Sequence, residues 1–230
     1  KVFYNRGIRN IKEYNEIVNA DNYTPYNPSD FPRIKKACEI ISNSIKAGEK
    51  IAVYGDYDVD GVTATSVLVL ALKKLNADVI YHVPDRFSEG YGMNENVVRE
   101  LAKNGVKTII TCDCGISNFD EIKLAKELGM KVVLTDHHTI GDDVPNADVV
   151  INYKMLNAEN PARNISGCAT AYYLVLALND YLGKEADDYT DLVALSTISD
   201  VMPLRGESRF LFQKGCKKLI DGERLGVRAL

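Results

Sequence analysis

The sequence lacks a disulfide framework, a long apolar run and an excess of positive charge. Its five cysteines, at 38, 112, 114, 168 and 216, are odd in number and scattered, which argues for reduced thiols rather than a cystine-stapled scaffold. Cys112 and Cys114 form a C-x-C pair, but no second Cys/His pair stands at finger spacing, so a structural zinc site is not expected. No stretch approaches the roughly 20 apolar residues of a membrane-spanning helix. The opening residues KVFYNRGIRN have no apolar core of the signal-peptide kind. A cytoplasmic, monomeric protein without membrane contact is the expectation. Lys and Arg number 28 against 32 Asp and Glu, and a net charge of −4 does not by itself point to nucleic acid. Internal repeats and low-complexity segments are also missing.

What is present fits one large domain or a domain with an appendage. The chain has 230 residues, 46% of them hydrophobic and 26% charged, ample for a packed core. Short β-branched runs alternate with amphipathic segments. Strands are expected at 51–54, 79–83, 107–112, 131–134 and 148–151. Helices are expected at 30–47, 62–75, 94–104, 118–128, 167–182, 187–199 and 207–220. The first of these has Ser29 or Asp30 as N-cap, Pro32 in its first turn and Gly48 beyond its end. The fold class is therefore α/β, a parallel five-stranded sheet flanked by helices, followed by a helical C-terminal segment. Residues 1–29 read as a loosely structured lead-in packed on the domain, 30–204 as the main domain, and 205–230 as a helical connector. That last stretch holds seven basic residues against three acids. It reads equally as a phosphate-tracking face or as a solvated helix surface.

The polar residues cluster where this map ends its strands. YGDYDVDG (54–61) follows the first strand, TCDCG (111–115) the third and LTDHH (134–138) the fourth. In a parallel sheet these three ends share one edge, where ligands bind. An Asp after a strand is often only a turn residue, and His137–His138 alone could be a packed pair. Three such ends together are different, because convergent carboxylates repel. Two like charges ~4 Å apart cost about 1 kcal/mol in water and about 4 kcal/mol at intermediate dielectric. Carboxylates with imidazole suit two ions of Mn²⁺ or Mg²⁺, the usual device for phosphoester hydrolysis. His82 lies inside a strand and reads as structural. Cys112 and Cys114 flank Asp113 and should point away from it, into packing.

These motifs resemble the DHH phosphoesterase superfamily, whose signature stands here as Asp136-His137-His138, and within it the RecJ family of single-strand-specific 5′→3′ DNA exonucleases. AVYGDYDVDGVTAT (52–65), VPDRFSEGYGMN (83–94), TIITCDCGIS (108–117), VLTDHH (133–138), ISGCATAYYL (165–174) and LVALSTISDVMPLRGESRFL (192–211) carry the resemblance in order. It implies Asp58 and Asp113 on one metal, with Asp56 near it, and Asp60, Asp113, His137 and Asp200 on the other. His138 would contact the scissile phosphate, Asp136 would orient the histidines, and Arg86 would clamp phosphate. Tyr91 and Arg209 join Arg86 and His138 as candidate substrate-binding residues. The implied reaction is in-line attack of water on single-stranded DNA, releasing 5′-mononucleotides in repair or recombination, with a helicase or single-strand-binding protein as partner. INYK (151–154) and GESR (206–209) depart slightly from the family pattern. The family's second, glycine-rich domain has no counterpart in this text. Two other readings are a DHH phosphoesterase acting on short oligonucleotides, cyclic dinucleotides or pyrophosphate, and a non-catalytic replication scaffold. The GDYDVDG motif speaks against the former, and the full ligand set against the latter.

Overall fold

The computed structural model describes residues 1–230. Five strands, β1 (Lys50–Tyr54), β2 (Val79–His82), β3 (Val106–Thr111), β4 (Lys131–Thr135) and β5 (Val149–Ile151), form one parallel sheet in the order β2-β1-β3-β4-β5. β1 and β3 are neighbours although β2 lies between them in sequence, so the connection reverses direction at this pair. Such a switch point opens a crevice beyond the carboxyl ends of the strands.

Helices cover both faces. They are α1 (Val2–Asn5), α2 (Ile11–Val18), α3 (Ile34–Lys46), α4 (Val59–Lys74), α5 (Glu95–Lys103), α6 (Phe119–Glu127), α7 (Gly167–Tyr181), α8 (Thr190–Ser199), α9 (Gly206–Asp221) and α10 (Leu225–Ala229). Alternation along β1 divides the core. Ile51 and Val53 join α3, α4, α7 and α8 on one face, whereas Ala52 and Tyr54 join α5 and α6 on the other. The first layer is the larger because α4, α7 and α8 stack on one another outside the sheet.

Several boundaries differ from expectation for local reasons. α3 begins at Ile34, not 30, because Pro28–Asp30 turn as a separate 3₁₀ element and Arg33 takes a left-handed φ of 67°. α4 begins three residues earlier than expected, since Asp58 caps it by accepting the Gly61 N–H at 2.9 Å. The lead-in is more ordered than its composition suggested. Asn10 Oδ1 caps α2 by accepting from Glu13 N at 2.9 Å, and the Glu13 carboxylate in turn accepts from Arg9 N at 2.8 Å and from Asn10 Nδ2 at 2.6 Å.

The C-terminal helix α9 is part of the domain packing. A Cβ on Gly215 would lie 1.9 Å from the Thr190 carbonyl oxygen, so the glycine allows α8 and α9 to touch backbone to backbone. Buried Glu207 accepts bonds from the Tyr23 and Tyr173 hydroxyls and from Tyr26 N, which ties the lead-in to α9 and α7. The basic residues of this segment are largely engaged within the molecule: Lys214 with Asp21, Lys218 with Asp188, and Arg224 with Asp191.

Candidate metal centre

Three adjacent strands deliver the site. β1 runs into Asp56, Asp58 and Asp60, β3 into Asp113, and β4 into Asp136, His137 and His138. Asp200 arrives from another layer, as the C-cap of α8. The turn after β1 is tight. A Cβ on Gly61 would fall 2.5 Å from the Asp56 carbonyl oxygen, and one on Gly55 1.9 Å from Thr65 Oγ1. Both glycines permit close approach of strand and helix, which packs three acids into one turn.

Asp113 adopts a left-handed φ of 60°, a conformation that Asp tolerates better than most residues. The turn there breaks strand alternation. Cys112 packs into the core on one face of the sheet and Cys114 into the core on the other. Both thiols are packing residues as expected, but they leave Asp113 in opposite directions.

Three overlapping groups of ligand atoms result, one of them Asp113, His137 and His138. Asp56, Asp58 and Asp113 offer oxygens within 4.8 Å of one another, and the ligand atoms of Asp60, His137 and Asp200 lie as close together. Asp113 connects them, its Oδ1 lying 3.1 Å from His137 Nε2. The same nitrogen is 3.5 Å from Asp60 Oδ2 and 3.6 Å from Asp200 Oδ2. Asp56 Oδ1, Asp113 Oδ1 and His137 Nδ1 are buried without a hydrogen-bond partner. Burial, and next the Asp60 and Asp58 carboxylates, push the Asp113 carboxyl up to about 10. Burial likewise raises Asp60 and Asp56. Orphaned buried carboxylates at this density require protons or cations. Oxygen donors with one imidazole match Mn²⁺ or Mg²⁺, so the donor set fits divalent ions of this kind.

Asp136 has a different task. Its Oδ1 accepts from the backbone N–H of His137 at 2.7 Å and of His138 at 3.0 Å, and Oδ2 from Ile116 N at 2.9 Å. Oδ1 also pairs with His138 Nδ1 at 2.8 Å. Burial would raise this carboxyl, but the bonds from His138 and Ile116 outweigh it and hold its pKa below the usual value. Asp136 thus orients the His138 ring. It holds His137 only through the backbone, a correction to the expectation that it orients both rings. The bond to Asp136 in turn raises the His138 pKa. His138 also lies near Asp113 and His137, but its Nδ1 is committed to Asp136. Tyr91 adds a hydroxyl 3.1 Å from the same Nδ1 and packs edge-on against the ring.

The remaining candidates are dispersed. Arg86 stands exposed with its guanidinium 5.3 Å from the centre of the Tyr57 ring, a residue that lies between Asp56 and Asp58 in sequence, and it pairs with no carboxylate. Arg209 is not brought to this cluster: its Nε donates to the Ile17 carbonyl at 2.7 Å and secures α2. His82 pairs with Glu89 at 2.8 Å and holds the loop after β2, in keeping with a structural role. Sequence reasoning missed Ser166, Gly167 and Ser196. A Cβ on Gly167 would sit 2.6 Å from Asp113 Oδ1, so only glycine lets α7 start beside that carboxylate. Ser166 in ISG does carry a signal, a serine N-cap before an apolar helix.

Fold and site together define a parallel α/β protein with a buried carboxylate–imidazole cluster, suited to divalent cations, at its sheet switch point. The model of the DHH family, N-terminal domain, matches residues 50–197, and the chain belongs to that family. It is 41% identical over 225 residues to the single-stranded-DNA-specific exonuclease RecJ of Bacillus subtilis (strain 168), covering 98% of this chain and 28% of that protein. To RecJ of Escherichia coli (strain K12) it is 34% identical over 244 residues, covering 100% of this chain and 42% of that one. Among solved structures, exonuclease RecJ bound to manganese superposes with a TM-score of 0.82 at 33% identity, over 89% of this chain and 52% of that chain. RecJ in complex with Mn²⁺ from Thermus thermophilus gives 0.76 at 32% identity, over 87% and 29%. The chain spans less than half the length of these two curated relatives.

Proposed function

We propose that this chain is the catalytic part of a metal-dependent phosphodiesterase that removes 5′-mononucleotides from the 5′ end of single-stranded DNA. The observation that carries this reading is the junction of two ligand groups at one buried carboxylate, Asp113. Asp56, Asp58 and Asp113 would hold one Mn²⁺ or Mg²⁺, and Asp60, Asp113, His137 and Asp200 the other. Bound there, such ions lower the pKa of water and neutralise charge on phosphoryl oxygens. His138 is held by Asp136 through Nδ1, and in the protonated ring that Asp136 favours Nε2 is a donor toward the scissile phosphate. Tyr91 keeps that ring in place, and Arg86 offers an unpaired fork to a phosphate oxygen. Arg209 belongs to this reading only as a support for α2. The DNA specificity in the names of the relatives supports the substrate class. No helix is long and apolar enough to cross a membrane. The substrate class is consistent with work in the cytoplasm beside a helicase or a single-strand-binding protein.

The test is digestion of end-labelled single strands in Mn²⁺, with duplex and RNA controls. Labelled mononucleotide should leave the 5′ end first, and Asp113→Ala should abolish its release. Mn²⁺-dependent cleavage that survives Asp113→Ala would falsify the shared-carboxylate reading.

A further inference from the structure

Asp60 is held on three sides by groups to which the sequence assigned no role in the site. Its Oδ1 accepts from Cys168 N at 2.7 Å and from Ser196 Oγ at 2.7 Å, and its Oδ2 from Gly167 N at 2.8 Å. Ser196 Oγ also lies 2.5 Å from Ser166 Oγ. All of these side chains are buried. The Ser196 hydroxyl is placed to donate to either Asp60 Oδ1 or Ser166 Oγ; an ionised carboxylate only accepts and is the stronger acceptor, so with Asp60 charged the single hydrogen goes to Asp60 and Ser166 packs against the hydroxyl from behind. Oδ1 is then saturated by two donors. Oδ2 has one donor and keeps a lone pair on the side facing His137 Nε2, 3.5 Å away.

Ser196 and Asp200 stand four residues apart on α8, hence on one side of the helix. A single helical turn therefore supplies one ligand of the cluster directly and the donor that orients another. Asp200 is partly exposed, whereas Asp60 is fully enclosed and depends on its hydrogen-bond partners for orientation.

We propose that Ser196, backed by Ser166, is a positioning residue that fixes Asp60 as a one-oxygen ligand of the cation shared with His137 and Asp200. The inference rests on the cation reading of the cluster, and it assigns the serine pair to one of the two ions only. Loss of the hydroxyl lets the carboxylate turn about its last torsion and offer Oδ1 in place of Oδ2. Groups that orient a ligand in this way typically govern about 10–100-fold in metal affinity.

The experiment is Mn²⁺ titration of the chain followed by electron paramagnetic resonance, which reads each ion without turnover. The wild-type chain should take up two ions. Ser196→Ala should weaken one of them about tenfold or more and leave the other unchanged. Ser196→Cys fills the same space with a poorer donor and should act in the same direction if the alanine variant does not fold. Ser166→Ala should weaken the same ion by less. A merely structural role for Ser196 would weaken both ions alike or neither, and either result overturns the inference. A wild-type chain that binds no Mn²⁺ sinks the cation reading as well. A wild-type chain that binds two ions, with both serine variants unchanged, sinks this inference alone.

Discussion

Each carboxylate of the centre acquires its role from its own set of neighbours. Asp136 and Asp113 are both buried at the ends of neighbouring strands, yet their proton affinities move in opposite directions. Asp136 receives three backbone N–H bonds and an imidazole, so it stays charged. Asp113 meets other carboxylates and lacks an aligned donor on Oδ1. The difference separates an orienting group from a ligand. Replacement of Asp136 by Asn removes the charge that raises the His138 pKa. Histidine titration by NMR on the cation-free protein should then show His138 ionising at lower pH than in the wild type. An unchanged His138 pKa in Asp136→Asn would show that other acids set it.

Among the elements, the packing of α7, α8 and α9 completes what the sheet begins. The N-terminus of α7 carries the N–H groups that bind Asp60, and the end of α8 carries Asp200. α9 lies against α8 through Gly215 and carries Glu207, which collects Tyr23, Tyr26 and Tyr173. Glu207→Ala should leave two tyrosine hydroxyls without their acceptor and cost roughly 3 kcal/mol. Urea melts should register the loss, and limited proteolysis should cut first within residues 1–29. If the lead-in stays as protected as before, Glu207 does not anchor it. The basic segment belongs to the same level of packing. Its ion pairs with Asp21, Asp188 and Asp191 favour the helix-surface reading over a phosphate track.

For the molecule as a whole, the centre links stability to pH and to cations. The Asp113 pKa is raised from 3.8 to about 10, and those of Asp60 and Asp56 are also raised. An acid whose folded pKa lies above its unfolded value contributes stability below the unfolded value. That contribution is lost as pH climbs through the folded one. The cation-free protein should therefore lose stability progressively as pH rises from near 3.8 toward about 10. Divalent ions replace the protons, so Mn²⁺ should raise the melting temperature more at about pH 8.5 than at about pH 6.5. An equal gain at both would mean that the carboxylates are not protonated in the cation-free state.

Strand–helix alternation and contiguous motifs are local signals, and they were enough to specify the parallel sheet, the three acidic strand ends and the family. They also placed Asp58 and Asp60 on different sides of the centre, through the resemblance of GDYDVDG to a known pattern. The resemblance also named Asp200, which the strand ends alone did not indicate, but the contacts that bring distant residues together have causes that lie far apart along the chain. Asp200 reaches the cluster only because α8 packs on α4, and Ser196 touches Asp60 across 136 positions of sequence. Arg209 looked available for substrate, but the carbonyl of Ile17, distant in sequence, occupies it. Periodicity and capping rules act over a few residues, whereas a hydrogen bond between layers exists only after the layers have packed.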